Sequence, residues 1–497
     1  LLGVATVSCT KLDEKLNGRL NEEQAQQLFG GAGGGNVSAL LAGAYTAMRN
    51  PYMDQSRMWA AQQHTTDETI GPTRGGDWDD NGVWRVLHTH QWDPTHGFLT
   101  DTYRELGKIV FSATDVLRFD STSQMAAEAR FLRAMAMFSI LDGWDQVPYR
   151  INTADPKEVP SVRKGVDALN YIISEVNAIK DRLPDGPVNR ANKDAAKVLL
   201  MKLYLNKGVI ANRQSPTFDN ADMAQVISLA DQLIPKYQLS ANFFDNFAPD
   251  NDVKSKENIW TLENVGGQSS GNVRSRWFMV LHYNQNPSGW NGFTTLADLY
   301  DKFTPADKRL VSTYPGVTEK SGLKVGFLQG QQVDETGKIL KDRRGNNLAF
   351  TKEVKLIETG NNLEITGIRV VKYPPDYNHG DNADNDYVMF RLADVLLMKA
   401  EAQLRSGGAA AAVTSVNLVR ARASLSPLSS VTLDQLLDER GRELYWEGWR
   451  RQDLIRFGKF LQAWSEKPAD ADPKTLLFPI PASSLAANPN LTQNPGY

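Results

Sequence analysis

Long stretches of this chain carry apolar residues at every third or fourth position, which is the spacing of one face of an α-helix. Residues 38–49, 101–118 and 125–141 follow this pattern. Within the last of them Phe131 and Met135 lie about one turn apart, and alanines stand between the turns. Small side chains at such places let two helices approach closely. The pattern therefore predicts a body built mainly of paired helices.

Two further segments carry helix start and stop signals. Asn192 is placed to cap a helix that ends at Gly208, and another helix is predicted from Tyr387 to Gly407. Helices closed by Gly or Asn and followed by a second helix resemble degenerate tetratricopeptide hairpins. The full repeat consensus is absent and the spacing is irregular, so periodicity alone does not establish such repeats.

Between Phe243 and Tyr387 the helical spacing gives way to short β-prone runs separated by Gly, Asn and Pro clusters. We interpret this stretch as a loop-rich insert with short strands, packed on the helices. The predicted divisions are a signal-peptide remnant (1–8), a lipid-anchored leader and tether (9–35) and one domain (36–497), itself made of a helical part (36–242), the insert (243–386) and a second helical part (387–497).

The composition excludes several classes of protein. The 497 residues carry a formal charge of −3 with Lys and Arg scattered among Asp and Glu, so the chain lacks the basic field that nucleic-acid binding requires. A single cysteine excludes an internal disulfide framework and any multi-thiolate metal site. No apolar run approaches the roughly 18 residues that span a bilayer.

The single cysteine, Cys9, follows a small apolar segment, residues 1–8, and precedes a polar stretch that begins at Thr10. This is the pattern that remains when an export signal has lost its start, and it predicts a lipid attached to Cys9. Thr6 occupies the place where bacterial lipoboxes usually carry Leu. The alternative is an unmodified free cysteine.

Three sequence motifs, taken together and in their order along the chain, are informative. They are residues 128–138 (EARFLRAMAMF), residues 391–402 (RLADVLLMKAEA) and residues 438–448 (DERGRELYWEG), the last leading to RQDLIR at 451–456 and FPIP at 478–481. In sequence and in order these resemble the SusD/RagB family, the surface lipoproteins of polysaccharide-utilisation systems in Bacteroidetes. The resemblance extends over essentially the whole chain.

The resemblance implies tetratricopeptide-like hairpins arranged in a right-handed superhelix that carries the insert. It implies a protein without enzymatic activity that captures an oligosaccharide or polysaccharide and delivers it to a SusC-like TonB-dependent transporter. It also implies a lipid at Cys9 that holds the protein on the outer face of the outer membrane. In such proteins the glycan site lies where loops of the early segment meet loops of the insert.

The third stretch is dense in titratable groups, among them Glu439, Glu443 and Glu447. On a helix these carboxylates are one turn apart, and interleaved arginines such as Arg440 and Arg450 can pair with them. Carboxylates paired with Arg have depressed pKa values and make poor general acids. We therefore interpret the motif as structural ion pairing.

Flat aromatic faces stack on the C–H surfaces of sugar rings, while Asp, Asn and Arg bind the hydroxyls. In the early segment the candidates are Trp78, Trp84, Trp92, Asp67, Arg74 and Asn81. For the three tryptophans the alternative is packing on the helices. For Asp67 it is a helix cap, and for Asn81 a turn before Gly82.

The insert supplies Trp277, Tyr283 and Trp290, the last in a polar, Gly-containing loop. By resemblance to the family these residues should face the early group. The remaining tryptophans are expected to pack in the interior or between helices, and they are Trp59, Trp144, Trp260, Trp446, Trp449 and Trp464.

No cofactor is expected. His88 and His90 would share one face of a strand near Asp93, but no zinc motif surrounds them. Residues 376–386 are rich in Asp and Asn, as calcium loops are, without the glycine and terminal Glu of an EF-hand. Calcium binding is left open.

Two other functions compete with glycan capture. Asp77, Asp79 and Asp80 could supply the two carboxylates that a glycoside hydrolase needs. Helical hairpins could equally form a scaffold that binds a protein partner through its concave face.

Overall fold

The computed structural model describes residues 36–497 except 121, 152, 154, 156, 269 and 270. Cys9, the remnant and the tether predicted for residues 1–35 lie outside the described residues. Within the described part, no helix combines the length and the apolar character that crossing a membrane requires.

The first part of the described chain is mainly helical. Its helices are α1 (Val37–Met53), α2 (Met58–Gln63), α3 (Val83–His88), α4 (Gly97–Phe119), α5 (Gln124–Trp144), α6 (Gly165–Ile179), α7 (Lys193–Ala211) and α8 (Asn220–Leu233). Between α5 and α6 lie two short antiparallel strands, β1 (Gln146–Tyr149) and β2 (Ser161–Lys164).

The middle of the chain has short elements joined by long loops. Its one-turn helices are α9 (Asn251–Lys254), α10 (Ser275–Phe278), α11 (Ala297–Tyr300), α12 (Thr318–Ser321) and α13 (Asn362–Ile365). Its strands are β3 (Asn258–Leu262), β4 (Val311–Ser312), β5 (Val325–Leu328), β6 (Gly330–Gln331), β7 (Ala349–Phe350) and β8 (Arg369–Val371). β4, β5 and β8 form one antiparallel sheet in that order, and β6 pairs with β7.

The last part begins with strand β9 (Tyr387–Arg391), which pairs antiparallel with β3. It continues through α14 (Leu392–Arg405), α15 (Ala409–Arg422), α16 (Leu433–Leu444), α17 (Arg450–Arg456) and α18 (Ala482–Ala487). Because β3 and β9 are far apart in sequence, their pairing joins the middle of the chain to its last part. The division of the domain into three parts stays a prediction.

The helices pack mostly on their neighbours in the chain. α4 packs on α5, α5 on α6, α6 on α7 and α7 on α8, and then α14 packs on both α8 and α15. Burial of alanines such as Ala129, Ala134 and Ala136 in α5 permits this close stacking. The predicted fold class, mostly α with a loop-rich insert of short strands, is confirmed.

One predicted helix boundary is confirmed and two are wrong. The Asn192 side chain accepts a hydrogen bond from the backbone N–H of Ala195 at 2.8 Å, as predicted for a cap. Gly208 does not end its helix: a Cβ there would lie 1.6 Å from the carbonyl oxygen of Thr217, so glycine permits a close chain approach. The predicted helix from Tyr387 is also wrong at its start, because residues 387–391 form strand β9.

The predicted ion pairing of residues 438–448 is present and fully buried. Arg391 contacts Glu443 and Glu257 at 2.6 Å and Glu447 at 2.6 Å, and all four side chains are 3% exposed or less. Arg309 binds Glu443 through a second guanidinium contact of 2.8 Å. We call these five residues the central ion cluster.

The arginines within and just after the motif were predicted as partners of its glutamates, which is confirmed for Glu439, in contact with Arg442 at 2.6 Å, but not for Arg440 and Arg450. Arg440 contacts Asp453 at 2.8 Å and Arg450 contacts Asp67 at 2.6 Å. The carboxylates of Glu443 and Glu447 are paired by arginines from distant segments. Burial alone would raise the pKa of Glu443, but Arg422, Arg391 and Arg309 hold it well below its ordinary value.

We expect Arg391→Met to lower the free energy of unfolding by about 3–5 kcal/mol, because it leaves buried carboxylates without their cation. Urea unfolding followed by circular dichroism measures this. The control is Asp167→Asn, which removes an exposed partner of Arg163 that lies 2.9 Å away and should cost no more than about 0.5 kcal/mol. A loss below about 1 kcal/mol for Arg391→Met would contradict the structural role of the cluster.

Candidate functional site

The early loop and the insert are joined by backbone hydrogen bonds. Ile70 and Thr294 exchange both of their backbone hydrogen bonds, at 2.9 and 3.0 Å. The N–H of Thr73 donates to the carbonyl oxygen of Leu356 at 2.9 Å. The two groups of candidate residues that are separate in sequence therefore lie side by side in the fold.

Arg74 strengthens this junction from beneath. Its guanidinium donates to the carbonyl oxygens of Gly292 at 3.0 Å and Thr366 at 3.1 Å. The residue is only 4% exposed, and burial lowers its pKa to about 9. Arg74 was predicted to bind ligand hydroxyls, but its donors serve backbone carbonyls and it acts as a positioning residue.

Trp78 lies at the tip of the early loop and reaches across to the insert. Its indole N–H donates to the carbonyl oxygen of Trp290 at 2.9 Å. Its ring lies 4.9 Å from that of Phe293, so one part of the side chain is packed and another faces solvent. The ring passes over Gly292, where a Cβ would lie 2.4 Å from it.

Trp290 is the most exposed of the candidate tryptophans, with half of its surface accessible (50%). Its backbone N–H donates to the carbonyl oxygen of Phe278 at 2.8 Å, and the two rings lie 5.0 Å apart. The Trp78 ring is 6.4 Å away. Backbone bonds and aromatic neighbours thus hold a large apolar face in water.

Tyr283 extends the same surface. Its hydroxyl donates to Asp77 at 3.3 Å, and the Arg343 guanidinium lies 4.0 Å from the centre of its ring. Partial burial, and then the charge of Asp77, raise the pKa of Tyr283. We call the group formed by Trp78, Phe278, Tyr283 and Trp290 the aromatic surface.

Comparison with known proteins agrees with this architecture. The family model described as the SusD family matches residues 256–497. The starch-binding protein SusD of Bacteroides thetaiotaomicron is 26% identical over 468 residues, covering 84% of this chain and 82% of that protein. Residues 256–497 belong to the SusD/RagB family, and the similarity to SusD extends over most of the chain.

Solved structures share the SusD fold with this chain. A laminarin-binding SusD-like protein has a TM-score of 0.69 at 22% identity, with 93% of this chain and 99% of that chain covered. Surface glycan-binding protein A from Bacteroides thetaiotaomicron, solved with laminarihexaose, has a TM-score of 0.69 at 17% identity, with 92% and 98% covered. These two likenesses establish the fold.

Three predicted ligand-stacking tryptophans of this SusD-family chain lie in the interior. Trp84, Trp92 and Trp277 are each 4% exposed or less. The Trp84 indole donates to Asp80 at 2.8 Å and that of Trp92 to the Tyr497 hydroxyl at 2.6 Å. Their rings fill the core, which is the alternative considered for Trp84 and Trp92, so they cannot stack on a surface ligand.

Asp67 and Asn81 also differ from the predicted ligand contacts. Both carboxylate oxygens of Asp67 accept from Arg450, at 2.6 and 2.7 Å. The pair lines a separate cavity of about 310 Å³ beside Trp464, so Asp67 is removed from the aromatic surface. Asn81 is exposed with φ of 54° and forms the turn before Gly82, which is the alternative considered for it.

Sequence reasoning missed Phe278 and Asp381. Phe278 follows Trp277 in the one-turn helix α10, and neighbouring residues on a helix point in different directions. Because Trp277 points inward, its neighbour is left at the surface. Arg274 lies 4.5 Å from the centre of the Phe278 ring and pairs with Asp381 from a loop about 100 residues later, a contact that no local pattern reveals.

The histidines and the Asp-rich loop make internal contacts. His88 Nε2 lies 2.9 Å from the carbonyl oxygen of Ser465, and burial lowers the His88 pKa to about 4. His90 contacts Asp470 at 2.6 Å. Asp376 accepts from the backbone N–H groups of Asn378 and His379 at 2.9 and 3.2 Å. Calcium binding by residues 376–386 stays a prediction.

We expect Gly292→Ala to displace Trp78, because the new methyl group would overlap the indole ring and lie 2.8 Å from the Met279 carbonyl oxygen. The expected cost is about 1–3 kcal/mol, with a changed tryptophan signal in near-UV circular dichroism. Gly76→Ala in the same loop is the control, because a Cβ there meets nothing within 4 Å. Identical melting temperatures and spectra for the two variants would contradict the packing described.

Proposed function

We propose that this protein binds an oligosaccharide or polysaccharide on the aromatic surface and holds it without cutting it. The half-exposed ring of Trp290 carries this proposal, because it lies beside the rings of Trp78 and Phe278 and leaves a fixed, flat apolar face open to a ligand. Sugar rings present C–H faces that match an indole face, and their hydroxyls can reach the neighbouring Asp77 and Tyr283.

The relatives support the same ligand class. A starch-binding protein, a laminarin-binding protein and a protein solved with laminarihexaose are all named for glycans. They share the family or fold of this chain, and glycan binding is the activity that their names have in common.

Contacts of the loop acids favour binding over hydrolysis. Asp79 is bonded to Arg85 at 2.6 Å, Asp80 accepts from the Trp84 indole at 2.8 Å and Asp77 accepts from Tyr283. A hydrolase needs one carboxylic acid that gives its proton and a second carboxylate across a cleft. New reducing ends after incubation of the purified protein with a bound polysaccharide would contradict the proposal.

We expect Trp290→Ala to weaken polysaccharide binding by about tenfold or more, because it removes the exposed stacking face. Affinity electrophoresis in gels containing soluble polysaccharide measures the loss. Phe111→Ala is the matched control: it also removes an exposed ring (39%), which lines a different cavity with Tyr149 and Arg150. Equal retardation of Trp290→Ala and wild type would contradict the site, and no retardation of wild type in any gel would favour the protein-binding scaffold.

Capture on a surface is useful to a cell only if the glycan is then imported. We therefore propose that the protein delivers its ligand to a SusC-like TonB-dependent transporter from the outer face of the outer membrane. The family of the chain and the relatives named as surface proteins support this location. A lipid on Cys9 would provide the attachment.

Replacement of Cys9 by Ala in the full-length precursor should release the protein from membranes and leave glycan binding unchanged, since the anchor and the aromatic surface are separate. Fractionation of cells into membrane and soluble material, followed by affinity electrophoresis, tests both parts. Membrane retention of the Cys9→Ala variant would contradict the lipid anchor, with the wild-type precursor as control.

A further inference from the structure

Three arginines beside the aromatic surface are already engaged by carboxylates. Arg274 pairs with Asp381, Arg343 contacts Glu364 at 2.7 Å, and Arg85 contacts Asp79 at 2.6 Å. Each guanidinium is therefore committed to an acid within the protein. An anionic ligand would have to break one of these pairs to gain the forked contact by which arginine recognises carboxylate or sulfate.

Two further arginines lie below this surface but do not reach it. Arg74 and Arg369 are 4% and 0% exposed, and each has a guanidinium N–H directed to the carbonyl oxygen of Gly292. Burial lowers the pKa of both. Their donors hold the backbone that carries Trp290 and cannot bind a ligand in solvent.

Carboxylates remain exposed at the same place. Asp77 and Asp80 face solvent and accept hydrogen bonds from neutral donors, the Tyr283 hydroxyl and the Trp84 indole. Among the described residues neither has a Lys or Arg nitrogen within ion-pair distance. A bound anion would meet like charge there, whereas the same oxygens can accept hydrogen bonds from sugar hydroxyls.

From this charge arrangement we infer that the aromatic surface selects neutral glycans and rejects uronate-rich or sulfated ones. The inference rests on the proposed function and adds the class of ligand to it. Asp381 is its specificity-determining residue: it is exposed (77%) and holds Arg274, whose guanidinium lies over Phe278 at the edge of the surface. Removing that carboxylate charge makes Arg274 available to an anion.

The test compares one polymer in three forms: neutral polysaccharide, its hydroxyethyl ether and its carboxymethyl ether, with starch and laminarin as starting polymers. The two ethers add groups of similar size, and only the carboxymethyl group adds charge. In affinity electrophoresis at low ionic strength, where charge effects are least screened, wild type should bind the hydroxyethyl form about tenfold or more tightly than the carboxymethyl form.

Asp381→Asn should raise affinity for the carboxymethyl form by about two- to fivefold and leave the neutral forms unchanged. Asp167→Asn is the matched control, because it makes the same change in net charge and frees Arg163, which also lies over aromatic rings, at 4.3 Å from that of Tyr171. It should change nothing.

Equal binding of the two ethers by wild type overturns the inference while leaving glycan binding intact, as does equal behaviour of Asp381→Asn and Asp167→Asn. Failure of wild type to bind any polysaccharide in the affinity gels, these polymers included, overturns the proposed function, and the inference with it.

Discussion

The structure depends on the central ion cluster, in which Arg391 lies between Glu257, Glu443 and Glu447. These groups come from the start of β3, the end of β9 and the end of α16 and the turn after it, so one guanidinium joins the insert to the last helices. Buried charges cost several kcal/mol each to desolvate, and only close pairing with all oxygens satisfied compensates for that cost. The cluster therefore tolerates little displacement of the elements that supply it.

The central ion cluster also helps to fix the position of the aromatic surface, through residues that lie between the two. Glu68 follows the ion-paired Asp67 and accepts the backbone N–H of Trp446 at 3.0 Å, next to Glu447. From there the early loop pairs with the insert at Ile70 and Thr294, and Arg74 binds the carbonyl oxygen of Gly292. Polar contacts joined by short stretches of backbone thus connect the buried charges to the loop that carries Trp290. Loops held in this way can present aromatic faces without a helix or strand beneath each residue.

The sequence predicted those features that depend on residues close together in the chain. The Asn192 cap, the helical body and the interior positions of Trp59, Trp144, Trp260 and Trp446 follow from short-range patterns and apolar context. The loop contexts of Trp78 and Trp290 also pointed to the surface, and the family resemblance indicated that their loops meet. Several of the remaining errors share one cause. Asp67 pairs with Arg450, 383 positions away, and Trp84 and Trp92 turn inward to pack on Phe293 and Phe478. Such partners are set by the three-dimensional fold and leave no mark in the neighbouring sequence.

A crystal structure of the protein with a bound oligosaccharide would show directly whether a glycan lies on the aromatic surface. We expect a sugar ring stacked within about 4 Å of the Trp290 indole, with hydroxyls directed to Asp77 and Tyr283. An oligosaccharide bound instead in the cavity of Asp67 and Trp464, with the Trp290 ring bare, would contradict this expectation.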